Sequence, residues 1–173
     1  MITVSDLRAI CPSANFERLE SFVEPLNDAM VEFSIDNPER EAMFLAQLAH
    51  ESMAFRWTRE IASGAAYEGR ADLGNTEEGD GERFRGRGLI QITGRANYAR
   101  CGAALGMDLL ANPELLEKPR DAARSAAWFW SHHGCNELAD KGDFMMVTKK
   151  INGGLTGYQD RLAYLTRAQT VIT

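Results

Sequence analysis

Along most of this chain, apolar residues recur at helical rather than alternating spacing. Leu19, Phe22, Val23, Leu26 and Met30 fall on one stripe. Pro25 sits inside that run and is expected to split it into two pieces, because proline removes a backbone donor and clashes with the preceding turn. Asn37-Pro38-Glu39 reads as the N-cap, N1 and N2 of the next helix, which continues through EREAMFLAQLAHES with good helix formers throughout. Residues 95–105 read as a helix stopped by Gly106. Pro119 opens another, PRDAARSAAWFWSHH, which Gly134 ends. Residues 143–151 form a short helix, and YQDRLAYLTRAQTVI carries Leu162, Leu165 and Ala168 on one stripe.

The exception is residues 64–88, which hold seven glycines with acids interspersed. This stretch reads as a long loop with a small hairpin around FRGRGLIQI, and long loops inside compact domains are often functional. The expected fold class is therefore mainly α, one domain over residues 1–173, with a glycine-rich insert after the HES helix.

Composition narrows the picture modestly. A chain of 173 residues, 45% apolar, suits one compact domain with a real core. No apolar run approaches the ~18 residues a membrane span needs. The N-terminus has two acids by residue 17 and no basic-then-apolar leader, so synthesis in a cytoplasm is expected, without stable membrane insertion. Cys11, Cys101 and Cys135 are an odd set at unrelated spacings and read as reduced core thiols. A net charge of −6 argues against nucleic acid as the partner. Arg83, Arg85, Arg87 and Arg95 form a local basic concentration.

The candidate chemistry begins at HESMAFRWTRE, residues 50–60. Phe44, Leu48 and Glu51 share a helix face. Glu51 thus ends an apolar stripe, where desolvation is expected to favour the protonated form a general acid needs. Glu60 lies nine residues on. In an unbroken helix it would point about 180° away and sit ~13.5 Å along the axis. The two carboxylates share a cleft only if the helix breaks first; Phe55, Trp57 and Thr58 are weak helix formers and permit this. His50 alone reads as structural. His132, His133 and Cys135 invite a metal reading, but HESMA lacks the second histidine of H-E-x-x-H, and HHGC sits at a helix end where histidine and glycine are at home. No metal and no cofactor is expected.

Three further stretches, FRGRGLIQITGRANY (84–98), INGG (151–154) and YQDRLAY (158–164), come after HES in order. Together they resemble the family 19 glycoside hydrolases, the plant-type chitinases and their compact phage endolysin relatives, from about Asn37 to Thr173. The resemblance implies a mainly helical, lysozyme-like, two-lobed fold with a glycine-rich loop or small hairpin beside the cleft. It implies cleavage of β-1,4 bonds in peptidoglycan with inversion, or alternatively chitinase action on N-acetylglucosamine polymers; a non-catalytic sugar-binding domain is a third possibility. By position, Glu51 matches the general acid, Glu60 the general base, and Thr93 the hydroxyl that orients water. Gln91, Asn97 and Asn152 match sugar-binding residues, and Arg161 an arginine that supports the base. If the match slips in the glycine-rich stretch, Glu68, Glu77, Glu78 or Glu82 takes the place of Glu60. Trp57, Phe84 and Tyr98 are stacking faces or core. Many plant members carry a carboxylate where this chain has Thr156, which leaves the partners of Arg161 open. The expected protein is a monomer without a separate wall-binding module, reaching the wall from the cytoplasm of the producing cell through a membrane lesion.

Overall fold

The computed structural model describes residues 1–173 and is almost entirely helical. Helix α1 (Val4–Ile10) starts at Thr3, whose hydroxyl accepts from the Asp6 backbone N–H while the Asp6 carboxylate accepts from that of Thr3. Helix α2 (Phe16–Glu32) continues unbroken past Pro25. The expected split does not occur, because Leu19, Phe22, Leu26, Ala29 and Met30 are all buried on one face. Core packing of a long amphipathic face outweighs the ~3 kcal/mol that an interior proline costs.

Helix α3 (Pro38–Glu51) is capped by the Asn37 carboxamide, which accepts from the Arg40 N–H. It is buried from Ala42 to Ala49 and forms the axis of the main core. The glycine-rich stretch is more ordered than expected. It contains two short 3₁₀ turns (Ala65–Tyr67 and Ala71–Leu73) and the one-turn helix α4 (Asp80–Arg83). The expected hairpin reduces to single bridges between Arg59 and Arg87 and between Arg87 and Ile92. Helix α5 (Arg95–Leu105) ends at Gly106 in the left-handed region, and α6 (Pro119–His132) comes after a 3₁₀ turn, Pro113–Glu117. Past Gly134 come a short α7 (Cys135–Ala139), then α8 (Phe144–Asn152) and α9 (Tyr158–Val171).

Two hydrophobic clusters define two lobes. The larger packs α1, α2, α3, α6 and α9 around Phe22, Phe44 and Trp130. The smaller gathers Phe84, Ile92, Tyr98, Cys101, Leu105, Leu109 and Leu116. Helix α6 serves both: its alanines and Trp130 belong to the large cluster, while Trp128 and Phe129 lean on the small one. All three cysteines are buried and free, and burial pushes each thiol up to about 12.

The turn leaving α3 sets up the site. Met53, Ala54 and Phe55 all have left-handed backbone, with φ of 50°, 58° and 63°, a conformation that costs roughly 1–2 kcal/mol per non-glycine residue. The buried Ser52 hydroxyl holds this turn, donating to the Leu48 carbonyl (2.6 Å) and accepting from the Phe55 N–H (2.8 Å). The Phe55 ring is buried against Phe22, and its carbonyl accepts from Arg18 Nε. Replacing Ser52 by Ala leaves the Phe55 N–H without its partner in a strained turn. The expected loss is about 1–3 kcal/mol, measurable as a lower midpoint in urea unfolding.

A second clamp closes the other end of α3. Arg40 reaches Asp140, at the end of α7, through both Nε (2.8 Å) and Nη2 (2.6 Å). These bonds, with one from Asn37, hold the Asp140 carboxyl down at about 2 against its usual 3.8. A depressed carboxylate stabilises the fold above the unfolded value and loses that contribution as pH falls through the folded one. The fold should therefore weaken between about pH 4 and pH 2 in a way that Asp140→Asn removes. Acid titration followed by circular dichroism would show a shallower curve for the variant.

Candidate active site

Helix α3 ends at Glu51, and the left-handed turn sends the chain away from the helix axis. This is the break required for Glu51 and Glu60 to serve one cleft. Glu51 remains on the large lobe. Glu60 is carried to the glycine-rich segment, where its backbone N–H donates to the Gly86 carbonyl (3.0 Å).

Glu51 does not end against a purely apolar wall. Its Oε1 is buried and lies 2.6 Å from Arg161 Nη2, at an angle that makes an ion pair rather than a hydrogen bond. Its Oε2 has no protein partner. Arg161 is 1% exposed. Its Nη1 donates to Gln47 Oε1 and its Nε to the Thr156 carbonyl (3.1 Å), while Gln47 in turn donates to Thr148 Oγ1 (2.9 Å). The partner left open at position 156 is thus the backbone carbonyl of Thr156. The sequence assigned Arg161 to the base; here its ion pair is with Glu51. Spacing along the chain does not reveal which carboxylate a long side chain reaches across the fold.

Glu60 is held by two donors. The Gly86 N–H reaches Oε1 (2.7 Å), and the Tyr67 hydroxyl reaches Oε2 (2.9 Å). Burial and this bond to Glu60 both push the Tyr67 phenol up, so it stays a donor. Each carboxylate oxygen keeps a second lone pair for another donor. Gly86 also locates Gln91 and Thr93: a Cβ at Gly86 would lie 2.6 Å from Gln91 Oε1 and 3.2 Å from Thr93 Oγ1. Glu60, Gln91 and Thr93 therefore meet around one glycine. The Gln91 amide, the Thr93 hydroxyl and the exposed Asn152 amide at the end of α8 make no hydrogen bonds within the protein. Asn97 differs. Its Nδ2 donates to the Thr93 carbonyl (2.7 Å) and its Oδ1 accepts from Arg100 Nη2 (2.8 Å), so its amide braces the start of α5.

Other candidates resolve by burial. Phe84 and Tyr98 are fully buried and belong to the core of the small lobe; of the proposed stacking faces, Trp57 is the exposed one. Glu68 accepts from the Gly79 and Gly81 N–H groups (both 2.8 Å), and Glu77 pairs with Arg95. Both are thereby committed to shaping their segment. The basic concentration at 83–95 is largely internal: Arg87 is 7% exposed and donates to Glu117, to the Arg83 carbonyl and to Tyr98, while Arg95 is held by Asp80 and Glu77. The sequence did not single out Tyr67 or the Gly86 contact. Nor did it mark the cavity of about 140 Å³ that extends from Gln91 and Thr93 to Arg100 and His132.

The two-lobed fold is that of a chitinase-like hydrolase, with Glu51 and Glu60 as candidate carboxylates on separate segments. The chitinase class I family matches residues 4–140, and the chain belongs to glycoside hydrolase family 19. It is 34% identical over 157 residues to a family 19 domain protein of Haemophilus influenzae, covering 72% of this chain and 76% of that one. It is 33% identical over 145 residues to an endochitinase of Arabidopsis thaliana, covering 83% of this chain and 50% of that one. The chain thus spans about half the length of the plant relatives. Chitinase C of Streptomyces griseus shares the fold at a TM-score of 0.82 and 22% identity, over 99% of this chain and 76% of that one.

Gly86→Ala should displace Gln91 and Thr93 from Glu60 while leaving the two cores intact. The expected result is a loss of at least tenfold in glycan hydrolysis with an unchanged circular dichroism spectrum and melting midpoint close to the parent's.

Proposed function

We propose that this protein hydrolyses the β-1,4 glycosidic bonds of peptidoglycan by single displacement with inversion. The observation that carries the hydrolytic reading is the division of the two carboxylates between lobes, with Glu60 fastened beside Thr93 through Gly86. Inverting glycosidases place acid and base on opposite faces of the scissile sugar, with room for a water.

The roles come from the donors and acceptors each group has free. A guanidinium has no acceptor, so the proton that Glu51 delivers sits on Oε2 and Oε1 remains against Arg161. That proton passes to the glycosidic oxygen as the bond from the anomeric carbon to it breaks. A water attacks the anomeric carbon from the other face and gives its proton to Glu60. The Thr93 hydroxyl can both donate and accept, which fixes the water between itself and Glu60. Gln91 and Asn152 offer amide groups that pair with both ends of an acetamido substituent. Arg161 acts by placing and charging the surroundings of Glu51.

The interval of nine residues between Glu51 and Glu60 supports peptidoglycan as the substrate, since it resembles the compact endolysin branch rather than the plant enzymes. In that setting the protein works as a monomer on the cell wall after release from the cytoplasm. A second reading, endochitinase action on N-acetylglucosamine polymers, has the plant relatives in its favour.

Glu51→Gln keeps the shape of the side chain and removes its proton. It should lower kcat on sacculi by at least a hundredfold with an unchanged circular dichroism spectrum, while the unfolding midpoint falls because buried Arg161 loses the charge of its partner. The digest should be reduced with borohydride and the new ends identified by mass spectrometry. Muramitol ends support the muramidase reading. Glucosaminitol ends from sacculi place the cut at the other bond, and cleavage of chitin alone makes the protein a chitinase. Near-parental activity of Glu51→Gln overturns the assignment of the acid.

A further inference from the structure

The cavity at Gln91 and Thr93 lies between α5 and the C-terminal end of α6, and Glu60 is not among the residues that line it. Its far wall is Arg100, Trp128, His132 and His133. No Asp or Glu lines it, in a chain whose net charge is −6. Arg100 has no carboxylate partner; its one side-chain bond is to Asn97 Oδ1, which leaves most of its donors free. Both imidazoles are held in place by aromatic neighbours one turn back: His132 stacks on Trp128 with centroids 5.4 Å apart, and His133 on Phe129 at 3.9 Å. The Nδ1 of His133 lies 2.8 Å from the Phe129 carbonyl. A carbonyl can only accept, so Nδ1 carries the proton and Nε2 is the remaining ring nitrogen. Sequence spacing assigned these histidines to the helix end alone, yet the fold turns them toward the cavity.

A neutral glycan gives such a wall nothing to neutralise. We infer that this cavity receives a carboxylate carried on the substrate glycan, with Arg100 as its principal partner and His132 and His133 beside it. Trp128 supplies the apolar face against which the sugar bearing the carboxylate rests. The inference rests on the glycan-hydrolase reading above and deepens it: the cavity selects acidic over neutral N-acetylated glycans. In peptidoglycan such a group is either the lactyl carboxylate of a peptide-free muramic acid or an acid of the attached peptide, and both present the same chemistry to a guanidinium.

The test compares kcat/KM on three soluble substrates: N-acetylglucosamine oligomers, peptide-free glycan strands containing muramic acid, and strands that keep their peptides. Arg100→Gln should lower the ratio of acidic to neutral substrate by about tenfold. Arg100→Lys, which keeps the charge, should restore most of it. A fall confined to peptide-free strands identifies the lactyl carboxylate, and one confined to peptide-bearing strands identifies the peptide acid. A ratio unmoved by Arg100→Gln overturns the inference, whether activity falls equally on all three or not at all.

Should strands with muramic acid not be cleaved, the hydrolase reading fails on that substrate but the cavity is still open to test by binding. In proton–nitrogen correlation spectra of the imidazoles, N-acetylmuramic acid should move the His132 and His133 signals of the parent and not those of Arg100→Gln. Equal movement by N-acetylglucosamine removes the case for anion selection.

Discussion

A guanidinium buried in the main core constrains this structure more than any other group. Taking Arg161 out of water costs several kcal/mol that only well-placed partners recover. It has three, all different: the Glu51 carboxylate, the Gln47 amide and the Thr156 carbonyl. A planar fork reaches acceptors in three directions at once, which the single ammonium of lysine does not match. Helices α3 and α9 must therefore meet in one register at the point where α3 delivers Glu51. His50 and Asp160 reinforce that register from the surface, with Nδ1 and Oδ2 2.7 Å apart. Gly157 lies flat against the His50 ring; a Cβ there would approach the ring to 2.3 Å.

With Glu51 fixed, the second carboxylate depends on the chain leaving α3 in the right direction. Three consecutive left-handed residues are an unfavourable way to leave a helix, and they persist because Ser52, Arg18 and the buried Phe55 ring over-determine them. The same logic holds on the small lobe. Arg87 is buried so that one side chain can hold the Arg83 carbonyl, Glu117 and Tyr98 together. That network steadies the short segment from which the Gly86 N–H points at Glu60. The site is thus the meeting of two rigid frames, each built around an arginine with internal partners.

These frames explain why some of the site was legible in the sequence and some was not. Helix ends with local signals, such as Asn37-Pro38 or Gly106, were readable because their chemistry lies within a few residues. Glu51, Glu60, Gln91, Thr93 and Asn152 were picked out as candidates by motif words that come in order, and the structure brings Glu60, Gln91 and Thr93 together around Gly86. Pro25 misled because its local penalty is smaller than the burial of a whole helix face. Phe84 and Tyr98 offered no local hint that they face inward. Arginine was the least legible residue of all. Arg87 and Arg161 look like surface charge in one dimension, and only the folded chain shows which acceptors, 30 and 114 positions away, bring them inside.

Net charge is uninformative for the same reason. The arginines at positions 40, 87, 95, 124 and 161 are all taken up by acids within the protein. The formal balance counts them as cations, yet a substrate meets little of their charge. At physiological salt the Debye length is about 8 Å, so a polymer sliding along the cleft responds to the unpaired groups within reach of it. The cavity that starts at Gln91 and Thr93 is lined by a guanidinium and two imidazoles and by no acid, although Glu60 meets the same two residues at Gly86. An overall excess of acids and a local attraction for acids are compatible here, because the charge that a substrate meets is set by the groups lining the cavity and not by the balance of the whole chain.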